Sequence, residues 1–156
     1  MDKKTSALAI AIALAIPAEG LRQFAYRDPA QGLPTICFGS TQGVQMGDFR
    51  TVPECKALLN KEMGDVISTV ESCRPGLPIN VLAAFSDAAF NVGPHIACDS
   101  SRSTAARLLA AGRYDEACAQ LPRWNRARVA GISVPLPGLT TRREMERQVC
   151  LGERME

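Results

Sequence analysis

From Ala7 to Ile16 the chain is apolar without a break, behind Lys3 and Lys4, and the same character runs on through Pro17 and Ala18 to Glu19. A helix over 6–18 would be about 20 Å long, against a hydrocarbon core of about 30 Å, so it makes a poor membrane span, further weakened by its alanines. The residues fit two readings equally: an export segment whose basic end stays in the cytoplasm, or an Ala-rich first helix buried in an ordinary domain. A signal cut after Ala18 would need a small residue where Ile16 stands, which argues against cleavage. After Glu19 the pattern changes, with five Gly and two Pro across residues 19–48 and TICF (35–38) as the one clear strand, so this stretch reads as a small hairpin-rich lobe. Helical signals then take over. Thr51 and Glu54 form a capping-box pattern at the head of a helix running toward Cys73, and RPGLP breaks it. Further helices are expected over 79–90, stopped by Asn91, Val92, Gly93 and Pro94, and over 101–111 and 114–121. Residues 123–138 are too rich in Arg, Gly and Pro for a long helix, and a last helix opens at Thr140 or Thr141 and runs to Leu151. The layout is α+β, mainly helical, with a β-lobe near the N-terminus.

Composition narrows the class. At 156 residues, 46% hydrophobic and 22% charged, the chain is expected to fold as one domain or as two small lobes sharing a core. A net charge of +2 gives no reason to expect nucleic acid as a partner. Charge is unevenly spread, however: residues 1–100 carry eight basic and ten acidic side chains, and residues 101–156 carry ten Arg and six acids. A polyanion could meet the C-terminal half. Cys37, Cys55, Cys73, Cys98, Cys118 and Cys150 include no CxxC pair, and His95 is the only histidine, so no metal centre and no cofactor are expected. Disulfides are the better reading of the six. They imply an oxidising compartment and tilt the first segment toward export, although spacing alone does not choose among the possible pairings.

Three polar residues stand out around the small lobe: Glu19 at the end of the first helix, Asp28 in the YRDP turn and Thr35 at the start of the strand. Two carboxylates on different elements facing one cleft are the minimum equipment for hydrolysing a glycosidic bond. Glu19, behind an apolar helix, is expected to be partly buried and suited to the acid's part, and Asp28, in a polar turn, to stay ionised. The run EGLRQFAYRDPAQGLPTICFG closely resembles the catalytic region of the phage-type lysozymes, glycoside hydrolase family 24. That pattern is a Glu-Gly-x-Arg helix end, a Tyr-x-Asp whose Asp lies nine residues after the Glu, and a Thr leading into Ile-Gly-x-Gly or its Cys-containing variant. AAFSDAAFNVGP (83–94) resembles the helix stop before the cleft, and GLTTRREMERQVC (138–150) the closing helix of lambdoid phage endolysins.

The resemblance implies a two-lobed lysozyme-like fold, with a β-lobe over about 20–50 and a helical lobe over about 51–156. It makes Glu19 the catalytic acid, Asp28 the carboxylate that holds or activates the water, Thr35 the residue that helps place that water, and Phe90 and Asn91 cleft-lining substrate contacts. For Phe90 a plain core role fits the apolar stripe as well. The implied reaction is hydrolysis of the β-1,4 bond between N-acetylmuramic acid and N-acetylglucosamine of peptidoglycan, with inversion, by an endolysin that lyses its host. The alternatives are an exported lytic transglycosylase and a non-catalytic wall-binding protein; Asp28 in register with Glu19 speaks against the first, and the intact carboxylates against the second. Two departures stand out. Asp28 and Thr35 are seven positions apart where the family usually has six, and Ser40 takes the place of the family's frequent His. The Arg-biased half is expected to face anionic cell wall, most of its arginines solvating helix faces and pairing with Glu144 and Glu146. Trp124 is expected in the core and His95 on a loop surface.

Membrane-exported members of this family carry an uncleaved signal-anchor-release segment, and residues 5–18 look like one. The resemblance thus implies a first segment (1–18) that is at first an inner-membrane anchor and later part of a periplasmic enzyme, followed by a catalytic domain (19–156) that works as a monomer. In this fold the helix from Tyr114 and the closing helix are neighbours, which implies a Cys118–Cys150 disulfide.

Overall fold

The computed structural model describes residues 2–29 and 31–153. Its elements run α1 (Lys3–Glu19), β1 (Arg22–Arg27), β2 (Pro34–Cys37), α2 (Val52–Cys73), α3 (Ile79–Val92), α4 (His95–Cys98), α5 (Thr104–Ala110), α6 (Tyr114–Gln120), a 3-10 turn (Leu121–Arg123), β3 (Arg126–Val129), β4 (Ile132–Pro135) and α7 (Pro137–Cys150). Met1, Ala30 and residues 154–156 lie outside the described residues, including the ends of both expected segments and one position of the DPAQGLPT turn.

Asp2 caps α1 by accepting from the Thr5 amide at 2.7 Å. Ala7, Ala11, Leu14 and Ala15 recur at helical spacing and are buried against α2, α3 and α7. The outward positions Ala9, Ala13 and Ala18 are small and apolar too, so α1 is uncharged around its whole circumference between Lys4 and Glu19. Its fully buried stripe is one leucine and three alanines, and Leu8, Ile10, Ile12 and Ile16 pack partly buried against the core beside it. Polar ties hold its two ends: Lys3 Nζ lies 3.2 Å from Glu71 Oε1 on α2, and Glu19 meets α7. Among the described residues no helix is long and apolar enough to cross a membrane.

The capping box at α2 forms as the sequence predicts: Thr51 Oγ1 accepts from the Glu54 amide, and Glu54 Oε1 accepts from the Thr51 amide at 2.8 Å. Cys55, Leu59, Met63, Ile67 and Val70 then present one buried stripe. α3 is the centre of the core, inaccessible from Val81 to Ala89, Ser86 and Asp87 included. β1 and β2 pair antiparallel with a bulge, and β1 also takes up residues 48–50: the Ala25 amide donates to Asp48 O and the Arg50 amide to Gln23 O, both at 2.9 Å. The result is the expected mainly helical α+β fold with a small N-terminal β-lobe.

Three expectations need correction. Residues 126–135 are not irregular but a second antiparallel hairpin, closed by Ala130 and Gly131 at φ of +52° and +81°. Both central residues are left-handed, as a type I′ turn requires, and alanine there hides the usual Asn-Gly signal. α7 begins at Pro137, not at Thr140 or Thr141, because proline suits the first helical position and no side chain caps this end. His95 opens α4, half-buried, with its ring 5.4 Å from that of Trp124, which packs at the core's edge; burial, with help from Arg102, pushes the imidazole below its usual value.

All six cysteines are paired: Cys37–Cys55 joins β2 to α2, Cys73–Cys98 joins α2 to α4, and Cys118–Cys150 joins α6 to α7. The third is the pairing that the resemblance implies. None involves α1.

Candidate active site

α1 stops at Glu19 because Gly20, at φ +71°, swings the chain into β1 while its amide still reaches Ile16 O at 3.2 Å. The Glu19 side chain is left at the junction of α1, the β-lobe and α7. It is partly buried, as expected, and a charged partner holds it: Oε1 accepts from Arg142 Nη1 at 2.5 Å. Oε2 faces Gly39, at φ +90°, where a Cβ would come within 3.0 Å of it. A side chain at this position would crowd the carboxylate and strain a backbone that suits glycine.

The β1–β2 hairpin carries the other two candidates. Asp28 follows β1 and organises the turn: its Oδ2 accepts from the Gln31 amide at 2.8 Å, and its own amide donates to Leu33 O at 2.9 Å. Beyond the turn the ladder resumes with Tyr26 opposite Thr35. The extra residue between Asp28 and Thr35 is therefore absorbed in the turn and does not remove Thr35 from the site. Thr35 is buried, and its hydroxyl donates to Leu33 O at 3.0 Å, which leaves its oxygen lone pairs free to accept.

Glu19, Asp28, Thr35, Phe90 and Asn91 line a single cleft of about 400 Å³, together with Tyr26, Gln31, Gly39, Thr41 and Glu62. Phe90 serves both readings made of it, since it lines the cleft and also packs on the core. Asn91 is held by Arg143, whose Nη2 donates to its Oδ1 at 2.8 Å. Glu62 of α2 is a third carboxyl in the cleft that sequence reasoning passed over. Burial pushes it above its usual range, against the Ser40 hydroxyl, which donates to Oε2 at 3.1 Å. Ser40, where the family often has His, thus ties the β-lobe to α2.

Behind the cleft lies a second group that the sequence reading missed. Arg142 donates through Nε and Nη2 to Asp87 Oδ2 and Oδ1 at 3.0 and 2.7 Å, and the two side chains are 5% and 0% exposed. Arg143 and Glu146, both fully buried, form an ion pair beside them at 2.8 Å. Burial opposes the charge on Arg142, but Asp87 and Glu19 outweigh it and raise the guanidinium above its ordinary value. Burial likewise opposes ionisation of Asp87, yet hydrogen bonds from Glu146 and Arg142 hold it below the usual carboxylate range. Burial and then the Asp87 carboxylate push Glu146 well above that range, against the pull of Arg143 and Arg142. Helical spacing back from Val149 and Cys150 falls on Glu146, Arg143 and Arg142, a signal that could have placed all three inside.

A family model described as phage lysozyme matches residues 17–146. The chain belongs to the phage lysozyme family. The SAR-endolysin of Pseudomonas phage phiKMV is 37% identical over 147 residues, 94% of this chain and 89% of that protein. Among solved structures, the muramidase domain of SpmX from Asticaccaulis excentricus superposes with a TM-score of 0.80 at 27% identity, covering 90% of this chain and 94% of that one. The active form of the P1 phage endolysin Lyz gives 0.78 at 29% identity, covering 92% and 83%. The phage lysozyme match spans the whole cleft, from the last turn of α1 to Glu146 on α7.

Proposed function

We propose that this chain is an endolysin: a muramidase that hydrolyses the β-1,4 bond between N-acetylmuramic acid and N-acetylglucosamine of peptidoglycan and so lyses a bacterial host. The observation that carries this reading is the convergence of Glu19, Asp28 and Thr35 on one cleft in a phage lysozyme family chain. Glu19 gives its proton to the glycosidic oxygen as the bond to C1 of the muramic acid breaks. A water attacks C1 from the opposite face, one of its protons held by Asp28 and the other by Thr35. Asp28 takes its proton as the new C1–O bond forms, so one water is added and the configuration inverts. Thr35 suits this part because its own proton is already committed to Leu33 O, so toward the water it acts as an acceptor.

Digestion of purified peptidoglycan tests the reading. The muramic acid reducing ends should appear first as the α anomer in NMR spectra and carry the mass of one added water. Anhydro products would overturn hydrolysis, and a first-formed β anomer would overturn direct displacement by water.

The same reading gives α1 two uses. Residues 5–18 carry no charge and form the uncleaved anchor that takes the chain through the inner membrane to the periplasm. While they lie in lipid, neither the Lys3–Glu71 nor the Glu19–Arg142 contact forms, and the cleft lacks its acid. The docked α1 described above is then the active arrangement. Fractionation of expressing cells checks this: the full-length chain should pellet with membranes and move to the soluble periplasmic fraction after an uncoupler is added. A chain that is soluble throughout, or whose mature N-terminus is Glu19, would sink the anchor.

A further inference from the structure

Asp87 is the one acid in the apolar run of α3, and it is completely buried. Each of its oxygens accepts from Arg142, through Nε and Nη2, which leaves Nη1 of the same guanidinium to reach Glu19. Arg142 is thus a bridge between two carboxylates, held in plane by the first and presented to the second. We propose that Asp87 is a positioning residue for Glu19: acting through Arg142, it fixes the orientation of the Glu19 carboxyl and offsets the arginine's charge so that Glu19 can hold the proton it must give. The proposal rests on the reading of Glu19 as the acid.

The chemistry poses a conflict that Asp87 resolves. A general acid needs a fixed orientation, which a guanidinium hydrogen bond supplies. The same guanidinium, unopposed, favours the carboxylate form and works against holding a proton. A buried negative charge on the far side of Arg142 keeps the hydrogen bond and cancels much of the field. The other ionisable groups around the pair do not take this part. Glu146 of α7 lies 3.9 Å from Nε of Arg142, farther than Asp87 at 3.0 Å, and is paired with Arg143. Arg143 turns to Glu146 and Asn91. Asp28, beyond β1, and Glu62, on α2, are bound to the Gln31 amide and the Ser40 hydroxyl.

The test is the pH dependence of turnover on purified peptidoglycan by the oxidised full chain, with near-ultraviolet circular dichroism to show that each variant is folded. In Asp87→Asn, whose side chain has nearly the same shape, the alkaline limb should move to lower pH by about one unit or more, with activity retained on the acid side. In Arg142→Gln the limb should move the other way, and kcat should fall at every pH with little change in KM. The double variant should return the limb to between the two. A merely structural role predicts loss in proportion to unfolding with no movement of the limb. A folded Asp87→Asn protein with an unmoved limb, or limbs that move the same way in both single variants, overturns the proposal. If Asp87→Asn does not fold, Arg142→Gln decides alone, and an unmoved limb there overturns it. Glu19→Gln separates the two levels: full turnover by that variant overturns the assignment of the acid itself, whereas a dead Glu19→Gln beside an unmoved limb overturns only the role of Asp87.

Discussion

Replacing Glu19 by Gln is expected to lower the rate of lysis of outer-membrane-permeabilised Gram-negative cells by roughly two to four orders of magnitude while the oxidised fold survives. Gln has the size of Glu, so it fits beside Gly39, which lies close against the Glu19 carboxylate. It also keeps an oxygen to accept from Arg142 Nη1, so the junction of α1 with α7 retains its hydrogen bond. What disappears is the transferable proton. Neither of the other carboxyl groups in the cleft stands in the same place: Asp28 is on the hairpin and Glu62 on α2, each anchored by its own hydrogen bond. Loss of turbidity measured side by side for the two proteins, with melting curves for both, checks the expectation. Equal lysis by the two would remove Glu19 from the chemistry, and a variant that no longer melts cooperatively would show that the charge holds the fold.

What the sequence makes legible is local. Thr51 and Glu54 announce the head of α2 because a capping box is satisfied within four residues. Glu19, Asp28 and Thr35 lie within a short stretch that resembles a known catalytic region, and the hairpin brings them to one cleft. What stays hidden depends on distance along the chain. Arg142 meets Glu19 across 123 positions and Asp87 across 55, and in a sequence each looks like any solvated surface charge. Two local features nonetheless mark them. A lone Asp inside the apolar run of α3 must find a partner once that helix is buried, because an unpaired buried charge is far too costly to keep. The inner face of α7, counted back from a cysteine whose disulfide buries it, lands on Arg143 and Glu146. The second hairpin was hidden for a different reason: its two-residue turn uses Ala130 in a left-handed conformation that alanine rarely adopts.

Reducing the three disulfides is expected to lower the melting temperature by tens of degrees and to abolish lysis at physiological temperature. The closed loops span 18, 25 and 32 residues and do not overlap, so in the chain-entropy picture each constrains a separate part of the unfolded chain and their contributions add. Each is worth about 3 to 4 kcal/mol, and together they reach on the order of 10 kcal/mol, comparable to the whole stability of a typical domain. At about 2 to 4 °C per kcal/mol for a chain of this size, the melting point should fall by at least about 20 °C. Melting curves with and without a phosphine reductant check this, and a shift of only a few degrees would sink it. The placement of the bridges matters as much as their number. Together they tie β2, α2, α4, α6 and α7, whereas α1 precedes the first cysteine and lies outside every loop. It is held by packing of Leu14 and three alanines, with Leu8, Ile10, Ile12 and Ile16 partly buried beside them, and by a charge pair at each end. Docking α1 therefore needs no covalent rearrangement. Under reducing conditions the bridges are gone, and the chain has no framework for α1 to complete.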